Sequence, residues 1–229
     1  MRELGQHAYD EIRHRILDGE LLPSSPISEY QLAADLKISR TPVREAIKRL
    51  EKEGLVWSIP NIGTFIAQLS AQDIMEIYQV RECLEGLAAR IAAEQMSETD
   101  IQQLEREVSL IHELKSTGRK DEIFQCDIRL HKLIVESTRN TRLRAILATL
   151  DDQMHRIRVI FSQSPDWLEA VIQEHSVLVE KIKARDCTGA ENAMVQHLRS
   201  ACDRSVQVVM PLRRNSGSNG DNSVSLSSG

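Results

Sequence analysis

The stretch Ile38-Ser39-Arg40-Thr41-Pro42-Val43-Arg44-Glu45-Ala46-Ile47 decides how the first third of the chain is read. Pro42 suits the first turn of a helix, where its missing N–H has no intrahelical acceptor to reach, so a helix is expected from about Thr41-Pro42. Val43, Ala46, Ile47 and Leu50 then recur at helical spacing and define a buried side. Arg40 and Arg44, four apart, share another face. Gly54 ends the run. Upstream, Ser28 followed three positions later by Gln31 has the spacing of a capping box, opening a short helix through Leu36 with Leu32 and Ala33 inward. Lys37 to Arg40 supply the turn. Tyr9 to Leu17, with Ile12 and Ile16, is an earlier helix ending at Asp18-Gly19, and Pro23 and Pro26 hold an extended link. Beyond Gly54 the runs Leu55 to Ile59 and Thr64 to Ala67 are strand-like and flank Pro60-Asn61-Ile62-Gly63. The expected order is helix, helix-turn-helix, then a two-stranded wing.

The chain has 229 residues and a formal net charge of -5, which taken alone disfavours a nucleic-acid partner. The distribution reverses that inference. Lys37, Arg40, Arg44, Lys48, Arg49 and Lys52 stand against only Glu45 and Glu51, the local signature of one DNA-facing element in an acidic protein. Cys83, Cys126, Cys187 and Cys202 include no C-x-x-C pair, so neither a disulfide framework nor a thiolate metal site is suggested. No apolar run approaches the roughly 20 residues of a spanning helix, and no signal peptide is read in Met1 to Asp10; no membrane partner and a cytoplasmic location are expected.

Past Ser70 every start signal is helical. Ser70 with Asp73, Ser97 with Asp100, and Thr188 with Glu191 have cap spacing, and Ser164-Pro165 gives a cap followed by a first-turn proline. Helices are expected at 71–95, 98–117, 121–138, 142–162, 165–185 and 189–208, forming an antiparallel all-helical bundle. Residues 215–229 are almost wholly Ser, Gly and Asn with little apolar surface to offset ordering entropy. The expected fold is therefore mainly α: a winged helix-turn-helix domain over 1–69, a helical effector-binding and dimerisation domain over 70–212, and a disordered tail over 213–229.

A helix that enters the major groove places its N-terminal residues against base edges. Arg40 and Arg44 could each bind guanine O6 and N7 through two guanidinium nitrogens, and Ser39 and Thr41 suit phosphates. A solvated basic face paired with Glu45 and Glu51 is the alternative. Ile27-Ser28-Glu29, Leu32-Ala33, Ile38 to Ile47, Arg49-Leu50-Glu51, Glu53 to Val56 and Pro60 to Phe65 resemble the GntR family of bacterial regulators across nearly the whole N-terminal domain. The resemblance implies that Arg40 and Arg44 read bases of double-stranded operator DNA, that Thr41 contacts phosphate, and that the wing tip from Asn61 to Gly63 reaches the minor groove. Ser39 and Lys48 complete the expected DNA-binding set. Many members of that family have arginine after the glutamate of the second helix; here Tyr30 follows Glu29.

Four polar residues interrupt the inward stripes of the second half. Phe124, Asp127, His131 and Ile134 form one stripe; Leu168, Val171, His175, Leu178 and Ile182 a second; Ala190, Met194, His197 and Ala201 a third. An unpaired carboxylate is costly to bury, so one Asp and three His converging on a cation is an economical explanation, and ordinary satisfied core histidines are the alternative. The donor set suits zinc, nickel or manganese. Tyr78 to Glu85, Ala88-Ala89, Asp127-x3-His131, Glu174-His175 and His197-Leu198 are similar to the FadR-type C-terminal effector domain, called FCD, of one GntR subfamily. That resemblance implies a divalent metal held by Asp127, His131, His175 and His197, and disfavours a fatty-acyl effector. Arg81 either binds an effector carboxylate or pairs with Glu85 one turn away; Arg156 and Arg158 are weaker candidates. The reading is a homodimeric, ligand-responsive transcriptional regulator without enzymatic activity, sensing a small organic acid. The alternative is a metal-dependent hydrolase built on the same cluster.

Overall fold

A computed structural model describes residues 2–161 and 167–210. The first unit contains α1 (Arg2–Leu17), β1 (Pro26–Ile27), α2 (Glu29–Asp35), α3 (Arg40–Lys52), β2 (Val56–Ile59) and β3 (Gly63–Ile66). Ser28 caps α2 by accepting from the Gln31 N–H, as its spacing predicts. Pro42, Val43, Ala46, Ile47 and Leu50 bury one side of α3 against Ala8, Ile12 and Ile16 of α1 and Leu32 and Ala33 of α2. The Tyr9 hydroxyl donates to Glu53 at 2.7 Å, and the Arg49 guanidinium lies 3.6 Å above the Tyr9 ring, tying α1 to the end of α3.

In this first unit two details differ from the sequence reading. Helix α1 begins at Arg2, well before Tyr9. The link carrying Pro26 forms a short strand on the open edge of the wing, giving the order β1-β3-β2, with Pro26 opposite Phe65 and Ile27 opposite Thr64. Proline is tolerated on an edge because its missing N–H leaves no interior ladder bond unmade. Trp57 stacks on Phe65 across β2 and β3, ring centroids 5.1 Å apart.

The second unit contains α4 (Ala71–Gln95), α5 (Glu98–Leu114), α6 (Lys120–Ser137), α7 (Thr141–Ala148), α8 (Asp151–Phe161), α9 (Trp167–Lys183) and α10 (Cys187–Val209). Ser70 and Asp73 form a complete capping box at α4, and Ser97 caps α5. Helix α4 packs chiefly against α10. Their approach is close at Gly86, where an added Cβ would lie 3.0 Å from Val195 Cγ2. The apolar core runs through α4, α5, α6, α9 and α10 and is separate from that of the first unit.

The helix expected over 142–162 is two helices. At the break the Thr149 hydroxyl turns back to the Ile146 carbonyl at 2.6 Å, and Leu150 N–H reaches Leu147, so the chain leaves α7 before α8 begins. Helix α5 ends at Leu114, short of the expected 117. Helix α10 is capped by Asp186, whose Oδ1 accepts from Gly189 N–H at 2.8 Å, so Thr188 lies inside the first turn and is not the cap. The Ser164-Pro165 cap and the tail 213–229 lie outside the described residues.

Candidate DNA-reading surface and metal centre

On α3 the apolar residues turn toward α1 and α2, which leaves Ser39, Arg40, Thr41, Arg44 and Lys48 exposed. Ser39 is the N-cap and makes no side-chain cap bond. The arginines do not pair with Glu45 or Glu51. Arg44 donates to Glu29 of α2 through Nε at 3.1 Å and Nη2 at 2.9 Å, and Arg40 Nη2 reaches the same carboxylate at 3.2 Å. Asn61 and Gly63 stand exposed at the β2–β3 turn, both with positive φ, 63° and 149°. Ile62 between them is exposed too, so the wing tip is free to meet a groove.

In the helical unit, α6, α9 and α10 bring Asp127, His131, His175 and His197 together, with one candidate ligand atom from each lying within 4.8 Å of the others. Asp127 Oδ1 lies 3.6 Å from His131 Nε2 and 3.5 Å from His175 Nε2. Two of the rings are oriented from behind: Glu85 Oε2 lies 2.5 Å from His131 Nδ1, and Glu174 Oε2 lies 2.9 Å from His197 Nδ1. A carboxylate on Nδ1 fixes the tautomer and leaves Nε2 with its lone pair inward, the arrangement that supports metal-binding imidazoles. His175 is fully buried, yet neither ring nitrogen has a hydrogen-bond partner. An orphaned buried imidazole beside a carboxylate fits a site whose remaining partner is a cation.

Electrostatics agree with that fit. Burial pushes the His175 and His197 imidazoles below their ordinary range and keeps them neutral, the form that ligates a metal. Burial alone would raise Asp127, but His131 and Arg158 outweigh it and hold the carboxyl well below the usual range. Arg158 Nε donates to Asp127 Oδ2 at 3.0 Å, so the structure singles it out from the two weaker arginine candidates. Arg156 instead donates to the Ala67 carbonyl.

Arg81 is buried and bonds Glu85 at 2.5 Å, so the intrahelical pair is formed; it also lines the cavity beside the cluster. That cavity, of about 30 Å³, is bounded by Tyr78, Phe124, Met154, Trp167 and Val171 as well as by the cluster. A larger cleft of about 830 Å³ opens between α1, α4, α6, α7 and α8 and shares Arg81, His131, Met154 and Arg158 with it. Sequence reasoning missed Glu85 as a partner of His131 and Glu29 as a partner of the arginines. The i,i+4 spacing of Arg81 and Glu85 signalled only their intrahelical pair and gave no sign of the His131 contact.

A winged helix-turn-helix followed by a helical bundle with an inward Asp/His cluster defines a one-component regulator, a DNA-binding and a ligand-binding unit in a single chain. Residues 4–66 match the bacterial regulatory proteins of the gntR family and residues 76–200 match the FCD domain. The chain belongs to the GntR family of transcriptional regulators, in the branch that carries an FCD effector domain, and is a ligand-responsive DNA-binding protein. It is 29% identical over 196 residues to the HTH-type transcriptional regulator YdhC of Bacillus subtilis, covering 85% of this chain and 88% of that one. It is 30% identical over 190 residues to a probable D-xylose utilization operon transcriptional repressor of Paenarthrobacter nicotinovorans, covering 82% and 83%. Among solved structures, Escherichia coli McbR/YncC superposes with a TM-score of 0.68 at 20% identity, covering 93% of this chain and 99% of that one. Among the described residues no helix is long and apolar enough to cross a membrane.

Proposed function

We propose that the protein is a cytoplasmic homodimeric regulator whose α3 and wing bind operator DNA, and whose helical unit senses a small organic acid at a divalent metal ion, zinc first among the candidates. Asp127, His131, His175 and His197 would hold the ion. The observation that carries the reading is His175: a fully buried ring with both nitrogens unpartnered, facing a carboxylate and two more histidines. Three imidazoles and one hard oxygen suit zinc best, with nickel and manganese compatible. When bound, the ion would offer open positions to an effector oxygen. Arg81 and Arg158 supply the positive surroundings a carboxylate needs, and the adjoining cleft supplies room for the rest of the molecule. Ser39, Arg40, Thr41, Arg44, Lys48, Asn61 and Gly63 form the DNA-contacting set, the arginines reading guanine edges in the major groove. A palindromic operator requires two copies of α3, and the exposed Val80 and Leu87, on one side of α4, support dimerisation through the helical unit. The domain limits 1–69 and 70–212 belong to this proposal. A hydrolytic role is disfavoured because Glu85 and Glu174, the acids nearest the cluster, are each committed to a histidine.

The test is His175→Ala. Elemental analysis should show lost metal, calorimetry with a panel of small carboxylates should show weakened binding, and operator affinity without effector should stay near normal. Full metal content and full effector response would make His175 an ordinary core residue and end the proposal.

A further inference from the structure

Glu29 is an acid standing where an anionic duplex has to approach. It occupies the first turn of α2, its side chain 29% exposed, and its two oxygens receive Arg44 Nε at 3.1 and 3.3 Å, Arg44 Nη2 at 2.9 Å and Arg40 Nη2 at 3.2 Å. The arginine side chains are more than half exposed, 58% for Arg40 and 54% for Arg44, so the contacts are not imposed by core packing. A guanidinium is a planar fork with two edges that can grip a bidentate partner, one formed by Nε and Nη2 and the other by Nη1 and Nη2. Glu29 fills the first edge of Arg44. Among the described residues none bonds Nη1 on the second edge, and the side chain is 54% exposed.

We propose that Glu29 is a positioning residue for base readout: it fixes the Arg44 guanidinium so that its Nη1–Nη2 edge is the one offered to a guanine, with Arg40 held beside it. The inference rests on the reading of Arg40 and Arg44 as base contacts. Two physical effects act together. An exposed arginine loses rotamer freedom when it grips a base, and one already held by a carboxylate loses less. The same carboxylate offsets part of the arginines' charge, which weakens sequence-independent attraction to phosphates and leaves the base-edge contact intact. Hydrogen bonds from Arg44, and then from Arg40, hold the Glu29 carboxyl below its usual range, so it is ionised at neutral pH.

The experiment uses the full chain and two duplexes of equal length: one selected from a randomised library by the wild-type protein, and one scrambled. Fluorescence anisotropy at fixed salt gives the ratio of the two affinities for the wild type, Glu29→Gln, Arg44→Ala and the double variant. Glu29→Gln should lower that ratio about tenfold, within the range set by one bidentate base contact. Its effect on that ratio should be clearly smaller in the Arg44→Ala background, as coupled residues require, with only the part that passes through Arg40 and the phosphate attraction remaining. Selection repeated with Glu29→Gln should relax the preference at one base pair of each half-site. Glu29→Asp keeps the charge but draws the carboxylate back by one methylene; it should lose the ratio as well, and it replaces Glu29→Gln if that variant unfolds. An unchanged ratio for Glu29→Gln beside a lowered one for Arg44→Ala would overturn the positioning role alone. Equal tightening on both duplexes would reduce Glu29 to a mask and overturn it too. An unchanged ratio for Arg44→Ala would remove the base-reading assignment and this inference with it.

Discussion

Arg13 of α1 and Asp152 of α8 join the two units: Arg13 Nε donates to Asp152 Oδ2 at 2.5 Å, and Nη2 reaches the other carboxylate oxygen. Among the described residues α8 also hydrogen-bonds the DNA-binding unit from Gln153 to the Glu53 carbonyl and from Arg156 to the Ala67 carbonyl. Two residues beyond Arg156, Arg158 holds Asp127 of the Asp/His cluster, so one helix touches both the DNA-binding unit and the cluster.

Asp152→Ala should therefore disturb communication more than stability. The pair is partly exposed, so its loss should cost no more than about 1 kcal/mol. Operator affinity without effector should change less than about threefold, while the effector-induced change should shrink. Paired operator titrations with and without effector check this, and an intact response would assign the coupling elsewhere.

Arg81→Met should be far more damaging. Arg81 and Glu85 are 6% and 2% exposed, and removing the cation leaves a buried carboxylate with only His131 to face. A loss of about 3 to 5 kcal/mol is expected. Adding Glu85→Gln should restore part of it, because a neutral amide can still bond the His131 ring. Urea unfolding of the two variants measures both effects.

Tyr9 gives the DNA-binding unit a titration at high pH. Burial, followed by the hydrogen bond to Glu53, pushes its phenol from 10.0 to about 12. The folded chain keeps a proton that the unfolded chain has released, so the phenol's contribution is complete below pH 10 and is lost as pH rises toward 12. Across that interval the loss is on the order of 2 kcal/mol. Tyr9→Phe should remove this part of the slope in urea unfolding between pH 9 and about 11.5; identical slopes would count against the shift.

Chelation should lower stability through the metal cluster. With free metal about 100-fold above its dissociation constant, binding contributes about 2.7 kcal/mol, or roughly 5 to 10 °C in a chain of this size. Thermal unfolding with chelator, and again after zinc is restored, should show that interval in the wild type and none in His197→Ala.

Helix α3 was legible because Pro42 sits in its first turn and Val43, Ala46, Ile47 and Leu50 mark its buried side. Asp127, His131, His175 and His197 were legible as inward residues for the same periodic reason. Periodicity, however, says which way a side chain points along its own helix and nothing about which helices adjoin, so the convergence of α6, α9 and α10 came from the family resemblance. The break after α7 was hidden because Leu147, Leu150 and Met154 keep helical spacing across it. Glu29 and Arg44 are 15 positions apart, and their pairing depends on how α2 lies against α3.

The cavity beside the metal cluster has room for about two water molecules, so it cannot admit an organic acid of several heavy atoms while Met154 and Arg158 stay where they are. On the reading proposed above, ligand capture there would need a conformation in which that wall has moved toward the adjoining cleft. If the open form made up about 1% of molecules, the observed dissociation constant would be about 100-fold weaker than the intrinsic one. Substitutions in α8 that merely loosen the wall would then sharpen sensitivity without touching the ligand. The concentration at which the regulator responds would be set by the packing of Met154 as much as by the chemistry of the metal's ligands.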